Sequence, residues 1–590
     1  MGTITLTLIH NGVETRLSGV PCTPLLTFLQ NAETDISLHS PCGGKKSCGK
    51  CKIRILSGEC DAPTERELSF LTDDERARGM RLACFAQALS DVTAEIPSEQ
   101  AHILTELDGG NTLAPTASKH FVQLAPPSLD DQRDDWQRLK DGLGLPQLTC
   151  RTALLQSLSG ALQTGGYAAT VTIIGGFLTD VQPGEQPLDV FGLAADIGTT
   201  TVVMALVNLR TGAVVATESG LNRQSTFGGD VISRIQHALE NESGGESLRS
   251  AIVEQLNALA TALCARNNLQ TTDILSVSLV GNTVMSHLLL GLPTTAIAKA
   301  PFIPVCNETV QTTTPEIGLR LHPDCTVLVA GGVSAYVGGD ITAGVLASDL
   351  MQSDALSLFI DIGTNGEIAL GNRGKLVSCS TAAGPAFEGG HIRCGTGGVS
   401  GAINSLHMER GNPVFTTIGD APAIGICGSG VLDVTAALLD AGLLDETGYL
   451  ETDDELDDTA IYRITNDVYF SAKDAREVQL AKAAVRAGID TLLHAVGAAE
   501  NDVQHVYLAG GFGNYMDQNS AIRIGLIPAV LRERIIPLGN AAGSGAVRLL
   551  LDANAVTALE ALRGKMTYYE LSANPFFQNA YVEQMMFPEE

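Results

Sequence analysis

The chain has 590 residues, 44% of them hydrophobic and only 5% aromatic, with 62 glycines; it is too long for one core and reads as a soluble multidomain α/β protein rich in tight turns. Its 66 acidic residues outweigh 37 basic ones, for a formal charge of −29, which speaks against nucleic acid and anionic membrane surfaces, since no basic stripe is available to neutralise phosphate. The 13 cysteines form no paired framework, so a reducing, cytoplasmic setting is expected.

Residues 3–9 alternate apolar and polar side chains as a strand does, Asn11-Gly12 has hairpin-turn chemistry, and Thr23–Ala32 has helical character. The opening residues lack a charged leader, so no secretory signal is expected. Four cysteines follow in the order C-x5-C-x2-C-x32-C: Cys42, Cys48, Cys51 and Cys84. Three share one glycine-bearing loop that can bend around an inorganic core and point amides at sulfur, which suits one iron–sulfur cluster. Tetrahedral zinc is the alternative, although structural zinc sites usually pair short cysteine knuckles, and buried unliganded thiols are the third reading. Lys45, Lys46, Lys50, Lys52 and Arg54 surround this loop and are expected to supply a positive field for an anionic cluster; an ordinary solvated loop would look the same. The spacing, with Cys51-Lys52-Ile53-Arg54-Ile55 and Arg81-Leu82-Ala83-Cys84, resembles the adrenodoxin and putidaredoxin branch of the β-grasp [2Fe-2S] ferredoxins. Residues 1–97 are accordingly expected to form that domain.

Residues 98–118 lose periodicity and read as a linker. A small α/β middle domain is expected over 119–189, with a helix around Trp136–Lys140, a second at 152–163 and a strand at 170–174, before Pro183–Pro187 breaks the chain. Residues 152–179 and 274–298 carry no Asp, Glu, Lys or Arg, but both are interrupted by turn and polar residues, so buried helix–turn–strand segments are expected rather than membrane spans.

The remainder, 190–590, contains an internal echo. Asp196-Ile197-Gly198-Thr199 and Asp361-Ile362-Gly363-Thr364 each follow an apolar strand and precede another, and the two aspartates lie 165 residues apart. Glycine at such a turn lets the backbone approach phosphate, the hydroxyls and amides of Thr199, Thr200, Thr201, Thr364 and Asn365 can donate to it, and Asp196 and Asp361 suit a magnesium-bound water. The paired turns resemble the two phosphate motifs of the actin, sugar kinase and heat-shock 70 (ASKHA) superfamily. Leu508-Ala509-Gly510-Gly511-Phe512-Gly513 resembles that superfamily's adenosine motif, the diglycine leaving room for an adenine face. The resemblance implies a duplicated two-lobed ATPase domain binding ATP with Mg2+. Downstream of a capping-box Ser471, a core-facing helix is expected, with Arg476, Glu477 and Lys482 as candidate nucleotide contacts on its other faces. The glycine turns at 424–430 and 538–545 are read as helix packing or as phosphate contacts.

A ferredoxin domain joined to such a core resembles the reductive activators of corrinoid proteins, on the strings Phe227–Arg234, Val280–Met285, Ala383–Gly390 and Gly510–Gly513. The resemblance implies one-electron reduction of cob(II)amide to cob(I)amide on the corrinoid protein of a methyltransferase system, with ATP, and an upstream reductase or low-potential electron donor. A homodimer is one assembly this reading allows. The Asp-x-His-x-x-Gly string of base-off cobalamin domains is absent, so the corrinoid is expected on the partner. Within 383–395, His391 and Cys394 are read as loop-stabilising residues. Three alternatives stay open from the residues alone: an ATP-gated donor to a non-corrinoid metalloenzyme, a redox-regulated small-molecule kinase, and a ferredoxin fused to a nucleotide-sensing scaffold.

Overall fold

The computed structural model describes residues 3–10, 13–32, 36, 38, 40, 42–46, 49–71, 73–96, 107, 114–452, 454–456 and 459–589. Cys48, the Asn11-Gly12 turn and most of 98–118 lie outside the described residues.

The first unit is a five-stranded sheet in the order Val13–Gly19, Ile4–His10, Val92–Glu95, Lys52–Ser57, Met80–Leu82, with Ile4–His10 parallel to Val92–Glu95. Alternation does the work expected of it: Leu6 and Leu8 are fully buried and meet Leu25, Ile53, Leu82 and Ala94 in one core. The helix over this sheet is shorter than expected, Leu25–Gln30, because Pro24 confines the preceding residues to an extended pair, Thr23–Pro24 with Gln87–Ala88.

Next comes a four-stranded sheet, Ala117–Gln123, Ala168–Ile174, Phe177–Pro183, Thr149–Cys150, covered by the helices Asp135–Leu143 and Thr152–Thr164. Its first strand begins within the stretch expected to be linker. Thr116 N donates to Leu551 O (3.3 Å) and Ala553 N to Ala114 O (2.8 Å), so the approach to this sheet is tied to the distant C-terminal lobe.

The remaining chain forms two lobes of one plan. In the first, three antiparallel strands (Val214–Leu221, Thr201–Asn208, Phe191–Ile197) continue into two parallel ones, Ile274–Gly281 and Thr326–Val329. The second repeats this order with Leu376–Thr381, Gly366–Gly371, Ser357–Ile362, His505–Ala509 and Ile535–Gly539. Long helices cross over before the first parallel strand of each lobe, Gly244–Arg266 and Ala472–Val496. The latter starts at a capping box in which Ser471 and Asp474 exchange hydrogen bonds.

The lobes meet through equivalent helices, Gly339–Ala347 and Ala541–Leu551, in a shared apolar core. A Cβ on Gly545 would stand 2.2 Å from the Ala343 carbonyl, so glycine there permits the close approach. Among the described residues no helix is long and apolar enough to cross a membrane, and the uncharged 152–179 and 274–298 segments form helix, strand and turn.

Candidate functional site

Both Asp-Ile-Gly-Thr turns sit at hairpin tips where their strands end, so the duplicated plan brings them face to face. Asp196, Gly198, Thr199, Thr200 and Thr201 from one lobe and Asp361, Gly363, Thr364 and Asn365 from the other line a single trough, together with Gly510, Gly511 and Phe512. The turns are shaped by their own backbones: a Cβ on Gly198 would stand 2.7 Å from the Thr201 carbonyl, and Gly363 N donates to Asn365 O at 2.9 Å. Asn222 Nδ2 donates to Gly198 O (2.7 Å) and Asn282 Nδ2 to Thr199 Oγ1 (3.0 Å), holding the first turn from behind. In the second, Thr364 Oγ1 donates to Glu388 Oε2 at 2.8 Å.

The floor of the trough is acidic. Asp196, Asp340, Asp361, Glu367 and Glu388 line it, half-buried or deeper. Burial, then the charges of Asp340 and Asp361, raises Asp196 to about 7, while Asn540 opposes this by hydrogen bonding to it. Burial, then Asp340, raises Asp361 to about 7. Asp340 is itself raised to about 6 by burial, and burial with the Asp340 and Asp361 charges raises Glu367 well above the usual range. Carboxylates that raise one another in this way have a deficit of positive charge, which a divalent cation with oxygen preference would fill. Asp340 and Glu388 stand outside the paired motif; the only sequence signals for them are the diglycine before Asp340 and the Ala383–Gly390 string.

Gly510 takes φ +81 as the strand His505–Ala509 turns into the helix Gly510–Tyr515, and a Cβ there would stand 2.4 Å from Asp361 Oδ1. Gly511 differs: a Cβ there meets nothing within 4 Å and lies on the trough. Nothing in the protein's own packing requires glycine at 511, which fits a planar ligand face resting there. Phe512 stacks on Phe387 (centroids 5.0 Å apart, 14° between planes), tying this turn to the 383–390 loop. The glycine turns at 424–430 and 538–545 also reach the trough, through Gly428, Ser429, Asn540 and Ala542.

The other candidates on the long helix do not reach it. Lys482 is fully buried, donates to Met586 O and lies over Phe587, so it serves the C-terminal segment. Arg476 donates to Gln479 (3.2 Å), and Glu477 lies 3.6 Å from His391. Burial raises the Cys394 thiol.

The cysteine loop lines the same trough, through Cys42, Lys45, Gly49 and Lys50. Cys51 and Cys84 are buried with sulfurs 3.3 Å apart; the contact with Cys84 lowers Cys51, against burial and the charge of Cys42. Two thiols thus stand together, with Cys42 near enough for its charge to act on Cys51; soft donors of this kind suit iron–sulfur ligation, although among the described residues no three side chains are gathered as metal ligands, and Cys48 lies outside those residues. The strand end carrying Cys84 is pinned by Glu67, which is fully buried and accepts from Arg81 Nε (2.7 Å) and Leu82 N (2.9 Å). The basic ring is more neutralised than the sequence implies: Lys52 pairs with Glu75, Arg54 with Glu95, and Lys46 lies over the Phe85 ring.

Comparison with known proteins accords with this plan. Family models match in sequence along the chain: a 2Fe-2S iron-sulfur cluster binding domain at 8–89, a RACo linker region at 107–187, a RACo middle region at 191–353 and the C-terminal ASKHA domain of RACo at 355–590. The corrinoid activation enzyme RamQ of Eubacterium limosum is 30% identical over 94% of this chain and 95% of its own. The chain belongs to the reductive activators of corrinoid proteins. A Co(II) methylated amine-specific corrinoid protein reductase of Methanosarcina barkeri is 24% identical over 67% of this chain and 77% of its own. A solved reductive activator for a corrinoid iron–sulfur protein superposes with TM-score 0.75 at 33% identity, covering 99% of this chain and 98% of that one. Within this family of activators, the ferredoxin unit supports a [2Fe-2S] cluster and the ASKHA unit supports nucleotide binding.

Proposed function

We propose that this activator uses ATP with Mg2+ to reduce cob(II)amide to cob(I)amide on the corrinoid protein of a methyltransferase system, one electron at a time. The observation that carries the reading is the continuity of one trough. Its roughly 2720 Å³ is lined by Cys42, Lys45 and Lys50 as well as by both phosphate turns. Small-molecule sites usually occupy about 300–1,000 Å³, so a nucleotide leaves most of this space for something else.

The thiols of Cys42, Cys48, Cys51 and Cys84 are the proposed holders of the cluster, whose contribution when bound is a one-electron relay. Gly198, Thr199, Thr200, Thr201, Gly363, Thr364 and Asn365 offer amide and hydroxyl donors to phosphate oxygens, and Gly510, Gly511 and Phe512 form the shelf for the adenosine. Asp196 and Asp361 are the proposed catalytic pair, holding the cation and orienting its water, with Asp340 completing the negative floor.

The cobalt couple is expected to lie below the cluster in potential, and the proposed need for ATP is a matter of that gap. Plant-type [2Fe-2S] centres lie near about −400 mV, and each 100 mV uphill costs about 2.3 kcal/mol per electron. Conformational coupling supplies about 1–3 kcal/mol, offsetting on the order of 50–130 mV, so binding alone is borderline and hydrolysis that releases the partner after transfer makes the step one-way. The proposed electron source is an upstream reductase or low-potential carrier in the cytoplasm, and a homodimer is the proposed assembly.

Anaerobic reconstitution with iron and sulfide, then addition of a cob(II)amide protein, reductant and MgATP, is expected to give the cob(I)amide absorbance. A colourless protein retaining one zinc ion rejects the reading. Transfer at the same rate and extent with a non-hydrolysable nucleotide rejects the role of hydrolysis.

A further inference from the structure

The cluster loop is seated on the first lobe beside the helix Val231–Glu240. Gln30 Nε2 donates to Thr226 O at 3.0 Å, and Lys45 donates to Gln236. Gly43, at φ +57, lies so close to the Phe227 carbonyl that a Cβ would stand 2.5 Å from its oxygen. The segment under the loop is therefore 226–228, backed by the N-terminal part of that helix.

Behind this segment lies Arg234, fully buried. Its Nε donates to Gly228 O (2.9 Å), its Nη1 to Gln224 Oε1 (3.1 Å), and its Nη2 to Thr199 O (2.5 Å). A further neighbour of Nη1 is Met285 Sδ (2.9 Å). Burying a guanidinium among carbonyls and a thioether is costly, and burial lowers this one to about 9, with only Asp230 acting against that. A neutral side chain would fill the space more cheaply. What the guanidinium adds is a rigid planar fork that fixes two backbone carbonyls relative to one another: Thr199, in the first phosphate turn, and Gly228, beside the seat of the cluster loop.

We propose that Arg234 is a positioning residue that couples nucleotide binding at the first phosphate turn to seating of the cluster loop. The inference rests on the reading of the trough as a nucleotide and cluster site, and adds how the two sites communicate. Nucleotide that orders the Thr199 turn also orders 224–234, and a loop seated on 226–228 pre-orders the turn, so the coupling is positive and reciprocal.

The test uses the full chain with its cluster reconstituted and a non-hydrolysable ATP analogue with Mg2+. In the parent protein the analogue is expected to slow amide exchange in 226–236 and in the cluster loop at least fivefold. Gln30→Ala with Gln236→Ala, which touch neither clamp nor cysteines, are expected to weaken analogue binding at least fivefold, within the usual range of about 5–150-fold for coupled sites. Arg234→Lys keeps the charge but not the fork; it is expected to weaken binding similarly and to abolish the slowing in the cluster loop. Adding the two glutamine changes to Arg234→Lys is then expected to weaken binding no further, a non-additivity that a merely structural arginine would not give. Retention of parent affinity within twofold in the glutamine pair, unchanged loop exchange in the parent, or additive losses overturn the proposal, and the glutamine pair decides it alone should Arg234→Lys fail to fold. Failure of the parent to bind nucleotide or cluster at all is read separately, and it defeats the functional reading itself.

Discussion

Asp340 provides the sharpest physical test of the acidic floor. Its carboxyl is raised by burial from 3.8 to about 6, so between those values the folded chain holds a proton that the unfolded chain has released. Stability must then fall as pH rises through that window, because the unfolded state binds fewer protons than the native one. A proton held roughly a hundredfold more tightly in the folded chain corresponds to about 3 kcal/mol. Asp340→Asn removes the charge at nearly constant volume, so in EDTA it is expected to stabilise the two-lobed part by about 3 kcal/mol above about pH 7, by about half that near pH 5, and negligibly below about pH 3.5. Relief of Asp196, Asp361 and Glu367, all raised in part by the Asp340 charge, adds to the gain at high pH. Urea unfolding of the parent and the variant from pH 4 to pH 8 reads the difference directly. The same variant is expected to bind Mg2+ and nucleotide more weakly, a gain of stability at the expense of function. A parent-to-variant difference that is independent of pH, or a variant less stable at pH 8, refutes the reasoning.

Three further outcomes follow from single contacts. Gly511→Ala adds a Cβ that meets no atom of the described residues within 4 Å, so its melting temperature is expected to match the parent while nucleotide affinity drops about tenfold, read by calorimetry. Gly510→Ala forces a Cβ toward Asp361 Oδ1 from a left-handed backbone and is expected to cost about 1–3 kcal/mol in urea unfolding as well as affinity. Glu67→Ala leaves Arg81, only 13% exposed, without its buried partner; the cost to the ferredoxin unit is expected to be about 3–5 kcal/mol, with visible absorbance lost faster on dilution into chelator.

The elements legible in the sequence are those whose signal is local. Period-two alternation marks Ile4–His10, the capping box opens the helix at Ser471, and each Asp-Ile-Gly-Thr turn announces itself by apolar strands on both sides. The echo at 165 residues also implies two equivalent lobes, and the strand orders repeat accordingly. The start of the middle sheet escapes a local reading because Ala117–Gln123 opens on Ala-Ser-Lys-His, whose polarity is that of an exposed strand edge as much as of a linker.

Lys482 illustrates the opposite failure. A lysine on an amphipathic helix reads as solvated or ligand-facing, yet its ammonium is received by the Met586 carbonyl, 104 residues on, and by the Phe587 ring beside it, and no helical period encodes such a partner. Asp340, Glu67 and Arg234 share this character. Each is a charged residue whose meaning is set by where a second segment arrives: two other acids for Asp340, the strand before Cys84 for Glu67, the Thr199 carbonyl for Arg234. In this chain the paired motifs mark turns that line one trough. The residues that hold those motifs in register come from elsewhere in the sequence, and the stability cost of burying their charge is what makes the register testable by substitution.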